Sequence, residues 1–184
     1  SVKPDPDEFL DARYRTGFFA GAQVRLPLAE KLALPIAVQY SQRGYYYNTQ
    51  GTFIVQDGQL ALYRGRVDSR LGYLDIVPQL EFQAIPQLGI ALGPYFSYRL
   101  SEELRYGDVI DWTSTKDNKL YKDSDFGLTA KLTGSIGPLF VFAAYQFGLM
   151  NISDKIILTD ENGQPIGELG FKNRALFFGV GWRL

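Results

Sequence analysis

The chain has 184 residues, a length that fits a single domain spanning residues 1–184. Its 19 lysines and arginines nearly balance 20 aspartates and glutamates, so charge gives no reason to expect nucleic acid as a partner. Histidine and cysteine are both absent, which excludes disulfides, the usual zinc sites and Ser-His or Cys-His nucleophile pairs. We therefore expect no cofactor, no metal and no catalytic centre of these kinds.

Apolar runs in the chain are short. The best of them, Leu139 to Tyr145, falls far below the about 20 residues that a transmembrane helix needs. An aromatic content of 15%, together with 19 glycines, favours strands and turns over helices. The composition therefore predicts an all-β chain.

Apolar residues alternate with polar or small ones along seven segments, and this two-residue period predicts β-strands. In chain order the segments are Phe18–Leu26, Leu32–Tyr46, Gly72–Ala84, Leu88–Leu100, Phe126–Ile136, Leu139–Leu149 and Leu176–Leu184. These segments are longer than the strands of soluble sheets, which typically have about 5–6 residues, and their length suits a tilted bilayer crossing.

Short and long connections alternate between these segments. Short turns stand at 29–31, 85–87 and 137–138, and long polar segments occupy 44–71, 101–124 and 152–173. Short turns at one rim and long loops at the other are typical of a bacterial outer-membrane barrel. Asp57-Gly58 and Asn162-Gly163 predict tight hairpins inside the first and third long segments.

The two faces of the predicted strands differ in composition. One is Leu, Ile, Val, Phe and Tyr, and the other is mostly small and polar with few charges. A soluble lipocalin-like barrel would put the apolar face inside and cover its outside with charge, and this alternative predicts a water-soluble carrier. The sparse charges favour the inverted arrangement, an eight-stranded antiparallel up-and-down transmembrane barrel. Its predicted lumen network is Arg25, Arg43, Asp75, Glu81, Arg99, Lys131 and Arg183.

Aromatic residues cluster where the predicted strands meet the long loops, as membrane-interface girdles do. The predicted girdle is Tyr45, Tyr46, Tyr47, Tyr73, Tyr95, Tyr98 and Tyr121, with Trp182 near the opposite rim. The last strand alternates to the end of the chain and resembles the signal that the barrel-assembly machinery reads. That predicted signal is Leu176, Phe178, Val180, Trp182 and Leu184.

Several stretches resemble outer-membrane β-barrel proteins of the PorT-like type, which are common in Bacteroidetes. They are Gly17-Phe18-Phe19-Ala20-Gly21 leading to Leu26-Pro27-Leu28, Tyr40-Ser41-Gln42-Arg43-Gly44, Tyr73-Leu74-Asp75-Ile76-Val77-Pro78, Gly93-Pro94-Tyr95, Asp125-Phe126-Gly127-Leu128 and Gly179-Val180-Gly181-Trp182-Arg183-Leu184. The resemblance implies an eight-stranded barrel in the outer membrane. It implies no single activity, because members serve secretion, assembly or other roles.

The chain departs from that family in two places. It ends in Leu184 where such barrels often end in an aromatic residue, and residues 1–16 do not resemble the Gly-rich first strand that the family usually has. Seven strands would also start the barrel at the long-loop rim, whereas single-chain bacterial barrels have an even number. We predict that the first strand precedes Ser1 or comes from another chain; the alternative is that residues 1–16 supply it.

Catalytic and metal sites are weakly indicated. Asp75 and Glu81 are six residues apart, about 20 Å along a strand, which is too far for a paired acid-base role. A calcium site is the other candidate, but the spacing of its residues matches no binding loop. These residues are Glu102, Glu103, Asp117, Asn118, Asp123 and Asp125.

We therefore expect a non-catalytic barrel in the bacterial outer membrane, with long loops extracellular and the C-terminus periplasmic. Its expected partners are outer-membrane lipid, the barrel-assembly machinery and other proteins of an envelope complex for secretion, assembly or uptake. The alternative is a small-solute channel that favours anions, since basic residues predominate in the predicted lumen.

Overall fold

The computed structural model describes residues 13–56, 59–115, 121–152, 156–159, 165–169 and 172–182. Its strands are β1 (Arg13–Tyr14), β2 (Phe19–Ala29), β3 (Leu32–Gln56), β4 (Gln59–Pro78), β5 (Leu80–Ile85), β6 (Leu88–Tyr106), β7 (Ile110–Ser114), β8 (Ser124–Ile136), β9 (Leu139–Asn151), β10 (Ile156–Thr159), β11 (Pro165–Leu169) and β12 (Lys172–Trp182). No helix within these ranges is long and apolar enough to span a membrane.

The main sheet is antiparallel and follows chain order. Neighbours run β2, β3, β4 with β5, β6, β8, β9 and β12, so β4 and β5 form one crossing interrupted at Gln79. Tight turns at 30–31, 86–87 and 137–138 join the strands at one rim, as the sequence predicts. Gly137 adopts a φ of 59°, a left-handed conformation that a residue with a side chain rarely takes. The all-β up-and-down fold is therefore confirmed.

Several strands continue well beyond the predicted crossings. β3 and β4 stay paired from Ile36 opposite Pro78 to Gln56 opposite Gln59, so most of segment 44–71 is a long hairpin. β10 and β11 form a second hairpin in segment 152–173. The predicted turn residues Asp57-Gly58 and Asn162-Gly163 lie outside the described residues. The long-loop rim is thus built largely from paired backbone.

The polar face of the sheet is buried and the apolar face is exposed. Asp75, Ser97 and Arg99 are fully buried, whereas large apolar side chains on the opposite face are open. Those exposed side chains include Val24, Leu26, Val38, Ile76, Leu80, Phe82, Ile90, Leu92, Phe96, Leu128, Leu132, Val141, Leu176, Phe178 and Val180. This is the reverse of a soluble β-barrel, which hides its apolar face.

Contacts between distant strands show how far the sheet curls. Lys131 on β8 donates to the Gln23 side chain on β2, with Nζ and Oε1 2.7 Å apart. Phe19 on β2 packs edge-on against Phe177 on β12, with ring centroids 5.5 Å apart. The buried face is therefore the interior of a barrel. Among the described residues, no backbone pairing joins β2 to β12, the two ends of the strand order.

Candidate functional site

Arg43 occupies the middle of the interior. Its Nη2 donates to Asp75 Oδ1 at 2.7 Å, and Ser97 Oγ donates to the same oxygen at 2.6 Å. Arg43, Asp75 and Ser97 come from β3, β4 and β6, so their hydrogen bonds to one carboxylate link three neighbouring strands. Two-residue periodicity turns all three side chains inward. Ser97 and Asp75 are direct partners in the β4/β6 register, whereas Arg43 lies opposite Leu71 on β4, so its long side chain reaches along the interior to Asp75.

A second carboxylate and three aromatic rings complete the surroundings of Arg43. Asp125 Oδ2 lies 3.7 Å from Nη1, and it also accepts hydrogen bonds from the Tyr95 hydroxyl at 2.8 Å and Asn173 Nδ2 at 2.9 Å. The guanidinium carbon is 4.8 Å from the centroid of Tyr73 and 5.5 Å from that of Tyr95, and Phe177 lies on a third side at 5.8 Å. We call Arg43, Asp75, Asp125, Tyr73 and Tyr95 the central cluster.

A second ion cluster lies above it, toward the long-loop rim. Arg99 is fully buried, contacts the Glu102 carboxylate and places Nη2 2.9 Å from Asp123 Oδ1. Thr115 Oγ1 donates to the other Glu102 oxygen at 2.8 Å. The segment that follows β7 is thereby held to the end of β6.

Polar contacts also fill the short-turn end of the interior. Arg25 Nε lies 2.8 Å from Glu81 Oε1, and Arg25 Nη2 donates to the Gln83 side chain at 3.3 Å. Arg25 and Glu81 come from β2 and β5, which lie on either side of β3. The interior therefore holds buried side chains along its whole length.

Three tyrosines cover the central cluster at the long-loop rim. Tyr45 and Tyr47 stack with ring centroids 6.2 Å apart, and the hydroxyls of Tyr45 and Tyr121 contact each other. Burial raises the pKa of Tyr47 to about 12, and the neighbouring Tyr45 and Tyr106 add to the rise. The pKa of Tyr121 is raised as well, chiefly by burial. These three residues form a neutral aromatic cap over the charged interior.

Comparison with known proteins agrees with this geometry. The family described as "Outer membrane protein beta-barrel domain" matches residues 1–154. The chain belongs to this family. The searches of curated proteins and of solved structures gave no match. The protein is therefore an integral outer-membrane β-barrel, and its exposed apolar band faces lipid.

The girdle residues of this outer-membrane barrel do not all face lipid. Tyr98 and Trp182 point outward, with 47% and 65% of their surface exposed. Tyr73 and Tyr95, by contrast, are fully buried beside Arg43, and this position differs from the girdle prediction. The physical reason is parity: Tyr73 shares the inward face of β4 with Asp75, and Tyr95 shares that of β6 with Ser97.

The remaining predicted girdle residues divide in the same way. Tyr45 and Tyr47 have the inward parity of Arg43 and join Tyr121 in the cap, which also differs from the girdle prediction. Tyr46 has the outward parity and lies under the Arg66 guanidinium, 3.9 Å from its ring centroid. Strand register therefore decides the side on which each tyrosine lies, even among consecutive ones.

The structure brings most of the predicted lumen residues inside, but in separate clusters. Arg43 and Asp75 meet at the centre, Arg25 and Glu81 at the short-turn end, and Arg99 above; Lys131 contacts Gln23. The last member, Arg183, lies outside the described residues, as does Leu184 of the predicted assembly signal. The other members of that signal, Leu176, Phe178, Val180 and Trp182, face outward on β12.

Two carboxylates of the interior, Asp125 and Glu102, are not part of the predicted lumen network. Asp125 has the parity of Thr129 and Lys131 on β8, and this signal was available. Glu102 has no such signal, because the β4/β6 register shifts between Gly72 and Tyr73 and reverses the parity of β6 from there. Within the described ranges, no three carboxylates gather in a way that could hold a metal ion.

Proposed function

We propose that this barrel is a non-catalytic component of an envelope complex, anchored in lipid and acting through its long hairpins and its wall. The filled interior carries the proposal. Arg43 and its partners occupy the centre, with the tyrosine cap above and the Arg25–Glu81 pair below. A barrel of about eight strands has an interior just wide enough for its own side chains, so little space is left for a solute.

The long hairpin of β3 and β4 supports a binding role. Leu60 and Leu62 lie near its tip with 74% and 53% of their surface exposed, far from the apolar band of the wall. Exposed apolar side chains on a paired, rigid element are typical of protein-binding surfaces. The proposal orients this hairpin toward the outside of the cell and the short-turn rim toward the periplasm, as outer-membrane barrels are generally built.

The resemblance to PorT-like proteins implies protein secretion, envelope assembly or nutrient uptake as the process, and it does not choose among the three. It rests on short stretches, among them Tyr40-Ser41-Gln42-Arg43-Gly44 and Tyr73-Leu74-Asp75. Several of these residues build the central cluster. The same residues that carry the resemblance therefore close the interior.

The test is purification in mild detergent of three proteins: the unchanged barrel, a Leu60→Ser/Leu62→Ser variant and an Arg64→Ser control. Arg64 lies on the same strand two residues away and is also exposed. We expect a partner at fixed stoichiometry with the unchanged barrel and the control, and its loss from the leucine variant. Equal recovery from all three would refute a role for the hairpin.

The alternative, a channel that favours anions, is decided by planar-bilayer recording. We expect no conductance from the unchanged barrel, because any path must pass Arg43 and the tyrosine cap. A steady anion-selective current that changes in an Arg43→Met variant would overturn the proposal and assign the interior to transport.

A further inference from the structure

Four arginines and a tryptophan form a partly exposed patch near the long-loop rim, in which Arg66 is exposed and the others are half-buried. Arg66 and Arg70 on β4 share the outward parity of Leu74, and Arg105 on β6 pairs across from the same stretch. Arg15 extends from the chain beside β3, and Trp112 lies on β7. We call Arg15, Arg66, Arg70, Arg105 and Trp112 the arginine patch.

Trp112 gathers three of these cations around one ring. The guanidinium carbon of Arg70 is 4.1 Å from the ring centroid, that of Arg15 is 4.9 Å away and that of Arg105 is 5.1 Å away. Arginine stacks on indole and presents its N–H donors in a fixed fork. The ring therefore holds three guanidinium groups close together near the wall.

Carboxylates neutralise only part of this charge. Asp68 pairs with Arg66 at 2.6 Å and Arg105 at 3.3 Å, and Glu103 pairs with Arg70. Two carboxylates against four guanidinium groups leave an excess of positive charge. Burial and the nearby Arg70 lower the pKa of Arg15, and Arg105 Nε is buried without a hydrogen-bond acceptor in the described structure. Because this Nε is itself buried, the patch attracts an anion through its excess of positive charge and through the part-exposed ends of its guanidinium groups.

The height of the patch on the wall identifies the kind of anion. Leu74 and Tyr98 are direct partners in the β4/β6 register, and both are exposed near the top of the apolar band, which reaches the exposed Leu100 on β6. Arg70 precedes Leu74 by four residues on the same face of β4, and it pairs with Glu103, which is only three residues, about 10 Å along the strand, beyond Leu100. A group just above the hydrocarbon boundary lies at the level of lipid headgroups.

We propose that the arginine patch binds the phosphate of a lipid headgroup in the leaflet at the long-loop rim. Arginine pairs with phosphate through two parallel hydrogen bonds, and basic clusters next to a membrane attract anionic lipids. This inference uses the membrane location of the barrel and is independent of the proposed partner complex. A free phosphate could satisfy the same donors, so the experiment compares both sources.

The experiment measures lipid retention by native mass spectrometry of the detergent-solubilised barrel. The probes are phosphatidic acid, whose headgroup is a bare phosphate, and phosphatidylcholine, whose phosphate is shielded by choline. We expect preferential retention of phosphatidic acid. An Arg70→Gln/Arg105→Gln variant should bind it about 25-fold more weakly, because each arginine near an anionic headgroup contributes roughly fivefold.

The matched control is Arg174→Gln. Arg174 is exposed and lies over an aromatic ring, 5.5 Å from the centroid of Phe147. It is on β12 and lines the same cavity as Arg15, but it is not one of the three arginines around Trp112. This control should bind phosphatidic acid like the unchanged barrel. The control removes one charge and the double variant removes two, so a loss of about fivefold in the control would assign the effect to net charge and overturn the patch as a site.

Tryptophan fluorescence gives an independent readout. The chain has two tryptophans, so a Trp182→Phe background reports Trp112 alone. We expect vesicles containing phosphatidic acid to shift this emission, and phosphatidylcholine vesicles with added inorganic phosphate to leave it unchanged. An equal shift with inorganic phosphate would overturn the lipid source. If the glutamine variant fails to fold, Arg70→Lys/Arg105→Lys replaces it. The lysine variant keeps the positive charge but loses the paired N–H donors of the guanidinium group. If it binds phosphatidic acid as tightly as the unchanged barrel does, the proposal is contradicted.

Discussion

Replacing Arg43 by methionine should destabilise the barrel strongly. The Arg43 side chain is only 6% exposed and stands between Asp75 and Asp125, both fully buried. Removing one partner of a buried ion pair costs about 3–5 kcal/mol, because the other charge is left without compensation. Here two carboxylates lose their cation, and the contacts with Tyr73 and Tyr95 are lost as well. We therefore expect the upper half of that range.

Partner variants make this prediction specific. Asp75→Asn should cost less than Arg43→Met, because Arg43 keeps Asp125 at 3.7 Å. The double variant should be more stable than the sum of the two single changes implies, since residues in contact couple by about 0.5–3 kcal/mol. Urea unfolding in lipid vesicles, followed by far-UV circular dichroism, measures all three free energies.

Arg174→Met is the matched control for this series. Arg174 is exposed, and its contact with Phe147 is worth about 0.5–1 kcal/mol at such a site. If Arg43→Met costs no more than this control, the central cluster does not hold the barrel together and the reasoning fails.

Three further predictions concern the lipid face, a glycine contact and pH. Leu92→Arg, on the lipid face near the middle of β6, should cost about 2–4 kcal/mol in vesicles by urea unfolding. Gly127→Ala should cost about 1–3 kcal/mol in the same assay, because its Cβ would lie 2.6 Å from the Tyr95 ring and 2.2 Å from a backbone oxygen. Burial works against the charged Asp68, but hydrogen bonds from Arg66 and from Arg105 hold its pKa below the usual value. The contribution of ionised Asp68 to the free energy of unfolding is therefore complete above the unfolded-state pKa of about 4, and it is lost as the pH falls through the folded-state pKa. The stability difference between the unchanged barrel and Asp68→Asn should therefore vanish in acid. A difference that persists in acid would contradict the ion pairs assigned to Asp68.

Sequence periodicity predicts the interior best where a strand is regular. Arg43 and Asp75 could be assigned to the interior because alternation along β3 and β4 is unbroken around them. Tyr73 and Tyr95 obey the same alternation, which places them inside. Their amphipathic rings also fit a membrane interface, and for that reason they were predicted to belong to the girdle. The structure shows that the polar interior uses such rings to surround a buried cation.

Features that depend on irregular pairing could not be read from the sequence. The register shift near Leu100 turns Glu102 inward, and nothing in the local residue pattern marks it. The arginine patch is likewise invisible, because Arg15, Arg70 and Trp112 are far apart in the chain and meet only through the β1–β3–β4–β6–β7 order.

Among the described residues, no strand pairs with the outer edge of β2 or of β12, and these two edges bear on the strand predicted to be missing. Both strands run from the long-loop rim to the short-turn rim, since Ala29 precedes one short turn and Trp182 pairs with Leu139, which follows another. Two strands that run the same way cannot extend an antiparallel ladder by pairing with each other. Unpaired backbone groups facing hydrocarbon cost several kcal/mol each. A strand running the opposite way would pair both edges and give the even number that single-chain barrels have.

A cavity of about 690 Å³ lies between β2 and β12 at the long-loop rim, and residues such as Phe18, Tyr145 and Phe178 line it. An eighth strand stays a prediction, whether residues 1–16 or a segment outside this sequence supplies it, and the direction of the two edges is the physical argument for it.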